Sequence, residues 1–98
     1  MAKSNDDVKI GDIILVLANS NSNNYPIGRP ILLTTCSNVS TSISGRYKVS
    51  DNPREYFGNN LMKSDFVILD GFKNPEDVTA EKLTNYINHS NKFKMGLF

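Results

Sequence analysis

Two sets of polar and aromatic side chains in this sequence have the composition of a binding site. The first set is a stretch rich in asparagine that also carries one aromatic residue and one cation. Amides, a phenol ring and a guanidinium can together hold a peptide, a nucleobase or a phosphate. The alternative is a solvated loop whose aromatic ring merely covers one end of the core. The residues of this set are Asn19, Asn21, Asn23, Asn24, Tyr25 and Arg29.

The second set places cations at alternate positions beside an aromatic residue. In a strand, alternate side chains point to the same face, so Arg46 and Lys48 would lie side by side. Such a face can track a nucleic-acid backbone while Tyr56 stacks on a base, and Arg54 adds a further cation. The alternative is an ordinary solvated strand face whose charges prevent pairing with another sheet edge.

The overall charge limits how strongly the chain can bind nucleic acid. Eleven basic and ten acidic residues leave a formal net charge of +1. Because affinity for nucleic acid rises with the number of phosphates neutralised, we expect any such binding to be weak and to disappear as salt increases.

No group of residues has the types and spacing of a catalytic, metal or cofactor site. His89 is the only histidine and Cys36 the only cysteine, so a metal would lack the usual ligand set. The neighbours of Cys36 carry hydroxyls and amides, which do not activate a thiol, so we expect it to be inert. The sequence has no Gly-x-Ser-x-Gly elbow, and its glycines are scattered. We therefore expect a protein that is not an enzyme and needs no metal or cofactor.

Apolar runs and alternating segments predict a small antiparallel β structure before residue 70. The run Ile13–Leu17 is apolar on both faces, which is typical of a strand covered on its outer side by another element. Residues 36–45 fit either an edge strand or a loop. Residues 54–60 are predicted to form a loop whose Tyr56 and Phe57 fold back onto the core. The other predicted strands are 31–35, 46–49, 61–62 and 66–69.

A helix is predicted to start at Thr79, which can cap its first turn while Val78 packs on Leu83 as a hydrophobic staple. The tail 92–98 is apolar and mildly basic, and it either packs on the domain or reaches a partner. An apolar stripe at helical spacing would dock the helix on the sheet. The stripe consists of Ala80, Leu83, Tyr86 and Ile87.

The 98 residues have the length of one domain. We expect a flexible lead-in over residues 1–8, a barrel over 9–70, and a linker, helix and tail over 71–98 packed on the same domain. The N-terminal segment is acidic, and the longest apolar run is far shorter than the roughly 20 residues of a membrane span. We therefore expect a cytoplasmic protein without membrane association.

The order of motifs, from IGD through YPIG and GRYKV to NNLMKSDFVIL, resembles the small SH3-like (KOW-like) barrel proteins of tailed bacteriophages. The resemblance covers about residues 9–69. It implies an α+β fold with a small SH3-like antiparallel barrel of about five strands and a C-terminal helix, and it implies a phage context. The matching residues are Gly11, Asp12, Asn19, Asn24, Tyr25, Pro26, Ile27, Gly28, Asp65, Phe66, Ile68 and Leu69.

Together these features predict a non-enzymatic binding protein, a small phage accessory protein that engages or inhibits a host protein or complex in the host cytoplasm. Two alternatives stay open, namely sequestration of a small nucleotide signal as an anti-defence protein, and a KOW-type nucleic-acid-associated module. A homo-oligomer is also expected, because the chain has more apolar side chains than a small barrel and one narrow helix should bury. The surplus residues are Tyr56, Phe57, Phe93, Leu97 and Phe98.

Overall fold

Six strands and one helix form the regular structure of the chain. A computed structural model describes residues 4–50 and 52–89. Short 3-10 helices lie at Asn5–Asp7, Lys63–Asp65 and Pro75–Asp77. The longer elements are β1 (Ile13–Val16), β2 (Pro30–Leu33), β3 (Ser37–Asn38), β4 (Ser42–Val49), β5 (Tyr56–Met62), β6 (Phe66–Ile68) and α1 (Ala80–His89).

All six strands belong to one antiparallel sheet in which β4 is the branching strand. The order is β3-β4-β2-β1-β6, and β5 pairs with β4 beside that path. Residues 47–49 of β4 pair with β2, whereas residues 42–47 pair with β5. Among the described residues no ladder joins β5 to β6, so the sheet is open. The α+β class is thus confirmed, and a closed SH3-like barrel is not.

Two glycines in paired strands leave room for other parts of the chain to lie close to the sheet. Gly45 in β4 has a φ of +150°, a conformation that residues with a side chain rarely adopt. A Cβ at this position would collide with the carbonyl oxygen of Thr35. The cross-strand partner of Gly45 is Gly58, where a Cβ would collide with the ring of Tyr25.

Apolar side chains pack on both faces of the sheet. β1 serves both layers, since Ile14 and Val16 point to one face and Ile13 and Leu15 to the other. This confirms that β1 is covered on both sides. The inner core contains Val8, Ile14, Val16, Tyr25, Ile31, Leu33, Ile43, Tyr47, Leu61, Phe66 and Ile68. The outer core contains Ile13, Leu15, Val67 and Leu69, with Leu17, Leu32, Phe72, Val78, Leu83 and Tyr86 packed against them.

The helix begins where the sequence predicts. The hydroxyl of Thr79 accepts a hydrogen bond from the backbone N–H of Lys82 at 3.2 Å, which confirms Thr79 as the cap. Val78 and Leu83 both pack against the outer core. Ala80 was predicted to belong to the apolar stripe that docks the helix on the sheet, but its side chain is exposed.

One side chain ties the helix to the sheet edge. The phenol of Tyr86 donates to the carbonyl oxygen of Ile68 at 2.9 Å, and its ring lies 6.0 Å from that of Phe72. The side chain of Ile87 and the tail 92–98 lie outside the described residues.

Two segments differ from what the sequence predicts, and in a third, residues 36–45, the structure contains strands, one of the two alternatives left open. Residues 4–8, expected to be a flexible lead-in, include a 3-10 helix and the buried Val8. Residues 36–45 contain both β3 and the start of β4. The predicted loop 54–60 is wrong, because most of it belongs to β5, and Phe57 is 60% exposed instead of folding back onto the core.

Candidate functional site

The asparagine-rich loop uses its amides to hold strand β5. Asn21 and Asn23 both donate their side-chain N–H groups to the carbonyl oxygen of Asn60, at 3.0 and 3.2 Å. Asn24 donates in the same way to the carbonyl oxygen of Phe57 at 2.7 Å. These amides therefore satisfy backbone acceptors of the sheet, which is a structural role.

Asn19 organises the loop internally. Its side-chain N–H donates to the carbonyl oxygen of Asn23 at 2.6 Å, and its side-chain oxygen accepts from the Asn23 backbone N–H at 2.8 Å. The Asn23 side-chain oxygen in turn accepts from the backbone N–H of Tyr25 at 3.0 Å. Side chains of this kind compete well for backbone groups in turns, which explains why the loop is rich in asparagine.

A buried carboxylate anchors the start of the loop. Asp65 is only 5% exposed, and its two carboxylate oxygens accept from the backbone N–H and the hydroxyl of Ser20, each at 2.9 Å. Its backbone oxygen accepts from Leu17 and Ala18. The sequence singles out Asp65 only through the phage-protein resemblance.

Three tyrosines stack into a ladder, which we call the tyrosine ladder (Tyr25, Tyr47 and Tyr56). The ring centroids of Tyr25 and Tyr47 are 5.0 Å apart, those of Tyr47 and Tyr56 are 5.7 Å apart, and each pair is inclined by 26°. Tyr25 is 3% exposed and its hydroxyl has no hydrogen-bond partner among the described residues. Burial raises the pKa of Tyr25, and nearby Cys36 raises it further.

The open end of this ladder lines a cleft between the loop, the end of β4 and the start of β5. The cleft has a volume of about 500 Å³, which lies within the range typical of ligand sites. It brings together two members of the first predicted set, Asn24 and Arg29, with Tyr56 of the second. We call it the tyrosine cleft, and its lining consists of Asn24, Pro26, Arg29, Tyr47, Val49, Ser50, Asn52 and Tyr56.

Hydrogen bonds fix the phenols of the cleft. The Tyr47 hydroxyl donates to the carbonyl oxygen of Asn24 at 3.0 Å. The Asn52 side-chain N–H donates to the Tyr56 hydroxyl at 2.8 Å, while its side-chain oxygen accepts from the backbone N–H of Arg54 at 2.9 Å. Because the Tyr56 oxygen acts as acceptor, its own proton remains available to a ligand.

The structure divides the second predicted set between the two faces of the sheet. The cross-strand partner of Arg46 is Phe57, whereas that of Tyr47 is Tyr56, so Tyr56 points away from the face that carries Arg46. Arg46 is 62% exposed and its guanidinium lies 3.7 Å from the carboxylate of Glu55. The four residues therefore do not form one basic face with a stacking ring.

The remaining cations of that set lie apart. Lys48 lines a second pocket of about 370 Å³, and Arg54 is exposed in the segment before β5. The other residues of this pocket are Leu32, Val49, Asn52, Asn74, Pro75 and Glu76.

Cys36 does not line the cleft. Cys36 is half-buried, and burial raises the pKa of its thiol, with a further rise from Asp12 that Lys63 opposes. A thiol held protonated in this way is a poor nucleophile, in line with the expected inert role. His89 is the last residue of α1, and its side chain lies outside the described residues. Across the described ranges, no three His, Cys, Asp or Glu side chains are grouped so that they could hold a metal.

No protein-family model, curated protein or solved structure matches this chain. In the described part of the chain, no helix combines the length and apolar character needed to cross a bilayer.

The sequence predicts only some of the residues that line the cleft. Alternation with Arg46 and Lys48 places Tyr47 on the opposite face of its strand, but nothing in the sequence indicates its contact with two other tyrosines. Asn52 belongs to neither of the two predicted sets. The signal that could have found it is the spacing Asn52-x-x-x-Tyr56, although such a pair has many other uses.

Proposed function

We propose that this chain is a non-enzymatic binding protein that engages a molecule of its host cell through the tyrosine cleft. The observation that carries the proposal is the convergence of Arg29, Tyr56 and Asn52 on one concave site of about 500 Å³. These are side chains that hold ligands by stacking, charge and hydrogen bonding. A site of this size takes either a small ligand or one projecting group of a macromolecule.

The proposal includes an SH3-like arrangement and a phage context. The path β6-β1-β2-β4-β5 contains five strands, and a 3-10 helix of three residues links its two ends, β5 and β6, along the chain. This order supports the resemblance to small phage barrel proteins. In that context the partner is a host protein or complex, and the site of action is the host cytoplasm.

The structure supports one of the two alternative functions better than the other. A KOW-type nucleic-acid module would use the face of Arg46 and Lys48, but Arg46 lies beside Glu55 and the stacking ring of Tyr56 points to the opposite face. Sequestration of a nucleotide is favoured because the half-exposed ring of Tyr56 and the guanidinium of Arg29 line the same cleft. The nucleotide alternative is therefore the stronger of the two.

The first prediction tests whether the cleft is the binding site. A tagged protein incubated with lysate of a bacterial host should retain a ligand or protein that is lost in the double variant Arg29→Gln, Tyr56→Leu. The matched control is Arg46→Gln, Lys48→Gln, which removes two cations from the opposite face and should retain it. Mass spectrometry of the eluted proteins and small molecules makes the comparison.

Two results would contradict the proposal. One is equal retention by the cleft variant and the wild type, and the other is loss only in the control variant. Thermal denaturation of both variants shows whether the cleft variant is folded at the temperature of the experiment.

A further inference from the structure

Building on the proposed binding function, we propose that the tyrosine cleft takes a nucleotide, with the base on the ring of Tyr56 and the phosphate on the guanidinium of Arg29. Three observations support this ligand chemistry. They are the open end of the tyrosine ladder, the charge of Arg29, which has no ion-pair partner among the described residues, and the polar groups of the cleft.

The tyrosine ladder offers a stacking surface only at its Tyr56 end. Tyr25 and Tyr47 are buried, whereas Tyr56 is half-exposed at the cleft. Among the described residues, no ring other than Tyr47 stacks on Tyr56. A base lying on Tyr56 would continue the ladder as its fourth ring. Stacking of this kind accepts any base, because every base has a π-face.

Arg29 supplies a cation that has no anionic partner in the described part of the protein. Among the described residues, no carboxylate forms an ion pair with it and no acidic side chain lines the cleft. Arg46, on the opposite face, instead lies beside Glu55. A guanidinium binds phosphate through two parallel hydrogen bonds. A phosphate group would therefore supply the anionic partner that Arg29 lacks among the described residues.

The polar groups of the cleft suit a ligand that has both a ring and an anion. The Asn52 side-chain N–H donates to the Tyr56 oxygen, which directs the phenol proton elsewhere and leaves it free for a ring nitrogen or a carbonyl. The amide of Asn24 is occupied by Phe57 and does not compete. The volume of about 500 Å³ accommodates a base, a sugar and one phosphate.

The experiment is isothermal titration of the full-length protein with AMP, GMP, CMP, UMP and inorganic phosphate, and with a short single-stranded oligonucleotide. We expect at least one mononucleotide to bind more tightly than inorganic phosphate. Arg29→Gln should weaken that binding about tenfold or more, and Tyr56→Leu by a similar factor. Arg46→Gln is the charge-matched control and should bind like the wild type. Tyr56→Phe keeps the ring but loses the hydroxyl, so it should bind less tightly than the wild type and more tightly than Tyr56→Leu.

The two sources of this chemistry are distinguished by the oligonucleotide. Tighter binding of the mononucleotide assigns the cleft to a free nucleotide, and tighter binding of the oligonucleotide assigns it to a nucleotide within a strand; either result supports the inference. Binding of nucleotides no tighter than inorganic phosphate would overturn it. So would an unchanged affinity in Arg29→Gln, a variant of an exposed residue that should fold normally.

The lysate experiment and the nucleotide titration together separate this inference from the proposed function. If the lysate experiment shows a partner that depends on the cleft while all nucleotides fail to bind, the nucleotide inference is wrong and the binding function stands. If neither experiment depends on the cleft, both are wrong. The nucleotides should also be recovered intact after incubation, since the proposed function is binding without turnover.

Discussion

At the scale of single residues, three tyrosines show how their surroundings give one residue type three different roles. The Tyr25 hydroxyl is buried without a partner in the described part of the chain, the Tyr47 hydroxyl donates to Asn24, and the Tyr56 hydroxyl accepts from Asn52. Burial raises the pKa of Tyr25 and of Tyr47, with smaller contributions from Cys36 and Tyr47 at Tyr25 and from Tyr56 at Tyr47. Only Tyr56 combines an accessible ring with a hydroxyl proton that a ligand can use.

Tyr25→Phe and Tyr47→Phe should have opposite effects on stability. Tyr25→Phe removes a buried hydroxyl that has no partner, so we expect the free energy of unfolding to be unchanged or to rise by up to about 1 kcal/mol. Tyr47→Phe leaves the Asn24 carbonyl oxygen without its donor, so we expect a loss of about 1 kcal/mol. Urea denaturation of the two variants measures the difference.

Tyr25→Phe should also change how stability depends on pH in alkaline solution. Because the folded pKa of Tyr25 lies above its ordinary value of 10.0, its contribution to stability is fully present below that pH and is lost as pH rises above it. Tyr25→Phe should therefore flatten the fall in stability above about pH 10. A loss of stability in Tyr25→Phe equal to that in Tyr47→Phe would mean that the Tyr25 hydroxyl does have a partner.

At the scale of elements, side chains from elsewhere in the chain cap the free strand edges of the open sheet. Asn24 and its neighbours cap β5, as described above. On β6, Asn5 donates to the carbonyl oxygen of Phe66 at 2.6 Å and Tyr86 to that of Ile68 at 2.9 Å. An open sheet with bare edges invites pairing with other chains, so these caps explain how the sheet can remain open.

Asn24→Asp should show what one such cap contributes. The substitution keeps the size of the side chain, but it replaces the N–H donor with a carboxylate oxygen that faces the carbonyl oxygen of Phe57. We expect a loss of about 1–2 kcal/mol in the free energy of unfolding, together with faster aggregation. Urea denaturation and light scattering measure the two effects.

The matched control is Asn59→Asp on the same strand. The Asn59 side-chain oxygen accepts from the hydroxyl of Ser44 at 2.8 Å, and an aspartate keeps that acceptor, so stability should change little. Equal losses in the two variants would show that negative charge near β5, and not the missing donor, is responsible.

These elements also show how far the sequence determines the fold. β1 was predictable, because four consecutive apolar residues require cover on both faces. β5 was not, because glycine and two asparagines disfavour a strand, and Asn60 has a φ of +57°. Its strand conformation depends on pairing with β4 and on amides from the loop, which are contacts distant in sequence. The cleft was only half predictable for the same reason.

At the scale of the whole molecule, the two faces of the sheet pack against different parts of the chain. The outer face of β1 and β6 is covered by the segment before α1 and by the helix itself, through Phe72, Val78, Leu83 and Tyr86. The inner face holds the main core, and the tyrosine ladder leads from that core to the cleft. A rigid core thus supports the proposed stacking surface directly, which favours a site that is formed before the ligand arrives.

The tail 92–98 is the remaining source of apolar side chains, and it lies outside the described residues. Because residues 4–50 and 52–89 already cover both layers, we expect a chain ending after Asn91 to keep its melting temperature within about 2 °C. We also expect it to lose any self-association, since aromatic side chains concentrate binding energy at interfaces. Differential scanning calorimetry and sedimentation velocity measure the two properties. A fall of about 4 °C or more, equivalent to about 1 kcal/mol, would instead make the tail part of the core. An unchanged oligomeric state at an unchanged melting temperature would contradict its role as an interface.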